Sequence, residues 1–220
     1  MAARPEFRIV NPNTDLAVTR WLGAEARRVA GDAFEVVAVN ADSGVAAIQT
    51  PAELEIAARA VVAAIAAPPR PSGAIVAAFG DPGLSEARAL NLMPIVGLAE
   101  SGLLAAGRDG RRFAIVTLGS ALREMVLAKA ATLGLAGQLG DVRFLPFSIP
   151  EMIADRESRL NAVTAAIRDC AEAGAEAVLL GGAPFAGLAV SLARKTGLVV
   201  LDGVEASVVR LMGAINANHR

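Results

Sequence analysis

The sequence predicts an α/β protein of two similar, pseudo-symmetric lobes, each a mainly parallel sheet covered by helices, with a ligand cleft between them. Three observations point there. Short β-branched runs alternate with Ala/Leu-rich helical stretches along the whole chain, as expected when helices cover both faces of a parallel sheet. The pattern repeats with an offset of about 105 residues, a period at which duplication shapes the fold. Polar, Gly- and Pro-rich loops follow equivalent strands in the two halves, where open parallel sheets bind ligands.

The strands read as Phe7–Val10, Phe34–Asn40, Ala74–Ala78, Pro94–Gly97, Arg112–Thr117, Val142–Leu145, Ala177–Leu180 and Val199–Leu201. A first helix starts after Thr14 or Asp15, either of which caps free N–H groups, and runs to about Val29. Further helices are expected over Pro51–Ala67, Leu84–Leu90, Ala99–Ala106, Ser120–Leu133, Arg156–Ala173, Phe185–Lys195 and Val204–Ala214.

Three pairs of segments carry the repeat in the same order. Arg8–Asn11 matches Ala114–Thr117, Ala74–Gly80 matches Ala177–Ala183, and Ile95–Gly97 matches Val200–Asp202. The lobes are expected at residues 1–97 plus about 203–220, and at 98–202.

Composition excludes several roles. A net charge of −1 and the lack of any basic stretch interleaved with aromatics argue against a nucleic-acid groove. The most apolar stretch, Ile56–Ala67, is interrupted by Arg59 and followed by Pro68-Pro69, too short for a membrane span; a cytoplasmic, soluble protein is expected. One cysteine, Cys170, and one histidine, His219, assemble neither an internal disulfide nor a His/Cys metal site, which excludes structural zinc but leaves a carboxylate-bound Mg²⁺ open. Leu160, Val163, Ile167 and Cys170 fall at helical spacing, which marks Cys170 as a small core residue. His219 sits in a terminal tail.

The candidate site residues fall in the loops after the strands. Asn11 and Asn13 orient a carboxylate or imide through their amides, or only close an Asx-type turn. Thr117, in the second-half loop equivalent to that of Asn11 and Asn13, offers a ligand hydrogen bond, and Phe79 and Gly80 open the loop after the third strand. Gly181, Gly182, Ala183 and Pro184 form a backbone cradle whose N–H groups suit an oxyanion or carboxylate, in a loop that ends at Phe185, a further ligand contact; a tight strand-to-helix turn is the competing reading. Asp81 is an acid/base or a helix cap. Glu100 and Asp202, after the fourth and eighth strands, serve as proton carriers if burial raises their pKa, or stabilise helix starts by negative charge.

Ile9-Val10-Asn11-Pro12-Asn13-Thr14, Phe79-Gly80-Asp81-Pro82-Gly83-Leu84, Pro94–Glu100, Phe113–Thr117 and Leu201-Asp202-Gly203-Val204 together resemble the aspartate/glutamate/hydantoin racemase superfamily, and within it the hydantoin and allantoin racemases. The resemblance spans about Arg8 to Met212. It implies chemistry at a carbon next to a carbonyl without cofactor or metal, and a small-molecule carboxylate, hydantoin-like or cyclic-amide substrate. It also implies a homo-oligomer.

In the family, one cysteine from each lobe flanks the stereocentre, one removing the proton and the other returning it. Those positions are Ala78 and Gly182 here, and neither side chain carries a proton. The related arylmalonate decarboxylases resemble this arrangement with glycine at the first position and a cysteine retained at the second. Three expectations follow: a racemase-like enzyme using Asp81, Glu100, Asp202 or a water held by Asn11 and Thr117; a hydrolase or decarboxylase using bound water or the substrate's own carboxylate; or a non-catalytic metabolite binder.

Overall fold

The computed structural model describes residues 4–218; His219 lies outside the described residues. Two four-stranded sheets are present, and every strand pair in them is parallel. The first contains β1 (Glu6–Asn11), β2 (Glu35–Asn40), β3 (Gly73–Val76) and β4 (Ile95–Gly97), in the order β2-β1-β3-β4. The second contains β5 (Phe113–Thr117), β6 (Leu139–Phe144), β7 (Ala177–Gly181) and β8 (Val199–Asp202), in the order β6-β5-β7-β8. The orders are the same once four is added to each number, so the repeat seen in sequence is a repeat of topology.

The central strands are buried on both faces, which is why β3, β5 and β7 read as apolar runs instead of alternating ones, whereas β1 carries a buried Arg8 in its middle. The helices are α1 (Leu16–Ala30), α2 (Pro51–Ala66), α3 (Leu84–Ala89), α4 (Leu98–Ala106), α5 (Arg123–Thr132), α6 (Ile149–Ala154), α7 (Leu160–Glu172), α8 (Ala189–Thr196) and α9 (Gly203–Asn218). Asp15 caps α1 by accepting from the N–H groups of Ala17 and Val18 at 2.8 and 3.0 Å. Thr50 and Glu53 form a reciprocal capping box at α2, with Pro51 in its first turn.

Two helices join the lobes. In α4, Leu98 belongs to the core around Phe7 and Ile9, whereas Leu103 and Ala106 belong to the core around Phe113 and Ile115. The final helix α9 returns to the first sheet, and Val208, Leu211 and Ile215 enter the core of Phe7 and Ile9. Gly73 permits this docking, since a Cβ there would lie 2.8 Å from Leu211 and 2.9 Å from Ile215.

Four expected helices differ from those observed: α9 runs on to Asn218, past the expected Ala214, and three others begin elsewhere than expected. The helix expected over Ser120–Leu133 begins as a 3₁₀ turn, Ser120–Leu122, before α5. The helix expected from Phe185 starts at Ala189, because Gly187 takes φ 77° and breaks the turn. The helix expected from Arg156 starts at Leu160, and a separate helix, α6, precedes it. Ser148 and Glu151 form the capping box of α6, with Pro150 in its first turn. Among the described residues, no helix is long and apolar enough to cross a membrane.

Candidate functional site

Strands β1, β3, β5 and β7 deliver their C-terminal loops to one cleft between the lobes. Asn13, Ala78 and Phe79 line it from the first lobe; Thr117, Gly181, Gly182 and Ala183 line it from the second. Counted out to its open mouth it holds about 590 Å³, a size suited to a small ligand.

Asn11 ends β1 and is fully buried. Its Nδ2 donates to Asn13 Oδ1 at 2.8 Å and Thr19 Oγ1 at 2.9 Å, and its Oδ1 accepts the Asn13 N–H at 3.2 Å. The expected ligand contact of Asn11 is thus replaced by an internal role: the residue holds Asn13. Asn13 Oδ1 also accepts the Asp15 N–H at 2.9 Å. Both its lone pairs are then occupied, and the Asn13 amide is left to present N–H donors to the cleft.

In the second lobe, the Thr117 hydroxyl donates to the Gly181 carbonyl and ties the ends of β5 and β7 together. Gly182 has φ 148° and ψ 145°, a region that L side chains avoid. Gly181 must lack a side chain because a Cβ would lie 2.8 Å from the ring of Phe79. That ring crosses from the first lobe and packs against both cores. Among the described residues, no acceptor pairs with the N–H groups of Ala78, Phe79, Gly182 or Ala183. Two pairs of backbone donors, one pair per lobe, are thereby available to an oxyanion or carbonyl oxygen.

Gly80 and Phe185, both expected at the ligand, lie behind the cleft. A Cβ on Gly80 would meet Met125 and Leu54 at 2.9 and 3.0 Å, and Phe185 is fully buried in the core of the second lobe.

The three carboxylates expected as proton carriers also lie outside the cleft lining. Asp81 accepts from the Ala99 and Glu100 N–H groups at the start of α4, at 2.8 and 2.9 Å, and from Lys129 Nζ at 2.7 Å. Burial pushes its carboxyl above the usual range, against the pull of Lys129 and the two N–H groups. Glu100 sits between Arg88 at 2.6 Å and Arg210 at 2.9 Å. Burial works against its charge, yet hydrogen bonds from the two guanidinium groups outweigh it and hold the carboxyl below its ordinary value. Asp202 accepts from the N–H groups of Gly187 and Val204 at 2.6 and 2.7 Å, and burial pushes it up to about 6. Its carboxyl caps α9 and borders a separate surface groove with Ser101 and Arg210.

Cys170 is buried in the core of the second lobe, and burial pushes its thiol up, away from the reactive thiolate. Among the described residues, no group of three or more His, Cys, Asp or Glu is placed to hold a metal ion.

Sequence reasoning missed the apolar wall of the cleft. Leu118, Leu122 and Val126 supply it from the second lobe together with Ile149, while Ile48 and Leu54 face it from the first. Ile149 was accessible through Ser148-x-x-Glu151, the capping-box spacing that marks the start of α6. Nothing in the local pattern separates the others from ordinary core residues.

Two parallel α/β lobes that close a slot at their strand ends form the two-lobed architecture of the racemase fold. The Asp/Glu/Hydantoin racemase family model matches residues 8–211, and the chain belongs to that family. It is 30% identical over 206 residues to a hydantoin racemase of Pseudomonas sp. (strain NS671), covering 92% of this chain and 83% of that protein. Allantoin racemase from Klebsiella pneumoniae superposes with a TM-score of 0.89 at 30% identity, over 97% of this chain and 89% of the other. The allantoin racemase of Pseudomonas fluorescens gives 0.90 at 25% identity, over 97% and 92%.

Proposed function

We propose that this protein binds a hydantoin-like or other cyclic-amide ligand in the interlobe cleft and stabilises the enolate formed next to its carbonyl. The observation that carries this reading is that Ala78 and Gly182, one from each lobe, line the same slot among backbone N–H groups without acceptors. Charge that develops on a carbonyl oxygen during loss of the neighbouring proton meets donors already in place, which lowers the barrier without reorganisation. Asn13 adds its amide donors. Among the described residues no ionisable side chain lines the slot, so the proton passes to and from water. The two-thiol route of the family is lost at Ala78 and Gly182.

The test is isotope exchange. Hydantoin, 5-substituted hydantoins and allantoin are incubated with the protein in deuterated water, and loss of the C5 proton is followed by NMR. Exchange above the uncatalysed rate is expected for at least one of them. Tight binding with no exchange would leave a metabolite binder, and neither binding nor exchange would remove the reading.

The apolar wall favours a second reading. A carboxylate pressed against Leu118, Leu122 and Val126 is desolvated with no cation beside it, which drives loss of CO₂ into the same donor set. This predicts a change in product mass, whereas racemisation predicts none.

A further inference from the structure

A second concavity lies where α4 and α9, the two helices that join the lobes, meet α8, and it shares no lining residue with the cleft. It holds about 1500 Å³ out to its open mouth. Ser101, Leu104 and Arg108 line it from α4 and the turn that follows, Val190 and Arg194 from α8, and Val209 from α9. Leu104, Val190 and Val209 are 37, 40 and 60% exposed, an apolar surface left facing water.

The charge around this groove is one-sided. Arg210 is committed to Glu100 at 2.9 Å and Glu205 to Arg28 at 3.2 Å. The buried Asp202 carboxylate is turned to the N–H groups of Gly187 and Val204. Arg108 has only its neighbour Asp109 at 3.9 Å, with both side chains more than three-quarters exposed. Among the described residues, Arg194 has no carboxylate within ion-pairing distance. Two guanidinium groups are therefore left over.

The floor carries one unmatched polar group. Ser101 is 2% exposed, and its hydroxyl has no hydrogen-bond partner in the protein, whereas buried polar groups are normally paired. Ser101 and Arg108 are two helical turns apart, about 10 Å of rise, with Leu104 between them.

From this arrangement we infer that the groove binds a slender amphipathic carboxylate. Its head sits at Arg108 and Arg194, its apolar segment lies over Leu104, Val190 and Val209, and a hydroxyl or amide oxygen meets Ser101. The spacing corresponds to an alkyl chain of about eight carbons. A flat protein surface would cover the apolar residues yet leave the Ser101 hydroxyl unmatched beneath it, which favours a small molecule. The groove makes no use of the ring-binding reading and stands whichever ligand the cleft accepts.

The probes are octanoate, 8-hydroxyoctanoate, octylamine and acetate, titrated into the isotopically labelled full chain and followed by NMR, which separates this groove from the cleft. 8-Hydroxyoctanoate is expected to shift the backbone amides of Leu104, Val190 and Val209. It is expected to bind at least about tenfold more tightly than octylamine and at least about a hundredfold more tightly than acetate. Arg108→Gln and Arg194→Gln are each expected to weaken it about threefold, since exposed ion pairs are screened. Ser101→Ala is expected to weaken 8-hydroxyoctanoate about fivefold while leaving octanoate within about twofold.

The inference is overturned if octylamine or acetate binds as well as 8-hydroxyoctanoate, or if the shifts fall on Asn13, Phe79 and Thr117 of the cleft instead. The other occupant to exclude is a second copy of the chain. Val209→Glu is expected to leave the mass in analytical ultracentrifugation unchanged; a fall in mass would make this face an interface between copies and overturn the inference as well.

Discussion

Lys129 Nζ lies 2.7 Å from Asp81 Oδ2, and this ion pair joins a helix of the second lobe to the loop of the first that carries Ala78 and Phe79. Asp81 takes φ 50°, and its carboxylate is completely enclosed, whereas Lys129 keeps 23% of its side-chain exposure. The same carboxylate caps α4, so one aspartate fixes a cleft loop, a helix start and the neighbouring lobe.

Removing the lysine leaves that carboxylate enclosed with only its two backbone donors. Lys129→Met is expected to cost about 2–3 kcal/mol, below the range for fully buried pairs because the ammonium is partly solvated. Urea denaturation measures it. A loss under about 0.5 kcal/mol would show that the two N–H groups alone satisfy Asp81.

Ala78→Cys and Gly182→Cys place thiols where the family resemblance expects them, but the two positions differ in backbone. Ala78 is not among the residues of positive φ, and its replacement is expected to change stability by less than about 0.5 kcal/mol. Gly182 at φ 148° imposes strain on any side chain, and Gly182→Cys is expected to cost about 1–3 kcal/mol. Thermal denaturation compares them, and equal costs would contradict the assigned strain. The double variant is expected to raise C5 proton exchange at least tenfold, because a thiol pair supplies the acid and base that the cleft lacks.

Gly181→Ala sets a methyl group within 2.8 Å of the Phe79 ring. One of the two must move, at an expected cost of about 1–3 kcal/mol. The displaced ring narrows the slot, so ligand affinity is expected to fall about tenfold. Calorimetry reads both the affinity and any change in the number of sites. Unchanged affinity and stability together would mean that the lobes adjust freely.

Asp202 makes stability depend on pH in an unusual direction. Its folded value of about 6 lies above the ordinary 3.8, so the folded state binds more protons than the unfolded state between those values. Stability from this group is therefore full below about pH 4, declines as pH rises to about 6, and stays reduced above that. The loss reaches at most about 3 kcal/mol. Asp202→Asn is expected to flatten this part of the curve, at a cost of about 1 kcal/mol at pH 4 for one N–H left without an acceptor. Urea midpoints from pH 4 to 7 test it, and an unchanged slope in the variant would assign the effect elsewhere.

Most strand readings were accurate because buried parallel strands are continuous apolar runs, as in Ala177–Leu180 and Phe113–Thr117, but β3 ends at Val76 where Ala78 was expected, and β6 begins at Leu139 where Val142 was expected. Helix ends were less legible. Whether Gly187 and Gly119 break a helix depends on φ values of 77° and 75°, and a sequence offers glycine without saying which way it will turn.

The candidate site was legible as a set of loops. Asn13, Ala78, Phe79, Thr117, Gly181, Gly182 and Ala183 do come together, since the strand ends of two equivalent sheets are brought to one place by the topology. The split among neighbours was not legible. Asn11 and Asn13 look alike in sequence, yet one is fully committed to holding the other. Asp81, Glu100 and Asp202 each resolve to ion pairing or capping, because their partners Lys129, Arg88 and Arg210, and the Gly187 N–H arrive from other elements.

From its residues alone the chain determined two parallel sheets, their strand-end loops and the absence of ionisable side chains at positions 78 and 182. Only the tertiary structure decided which polar groups face ligand and that Leu118, Leu122, Val126 and Ile149 form one wall. The reason is physical: strand and helix character follow from local periodicity, whereas the partner of a carboxylate and the exposure of a leucine depend on segments far away in sequence.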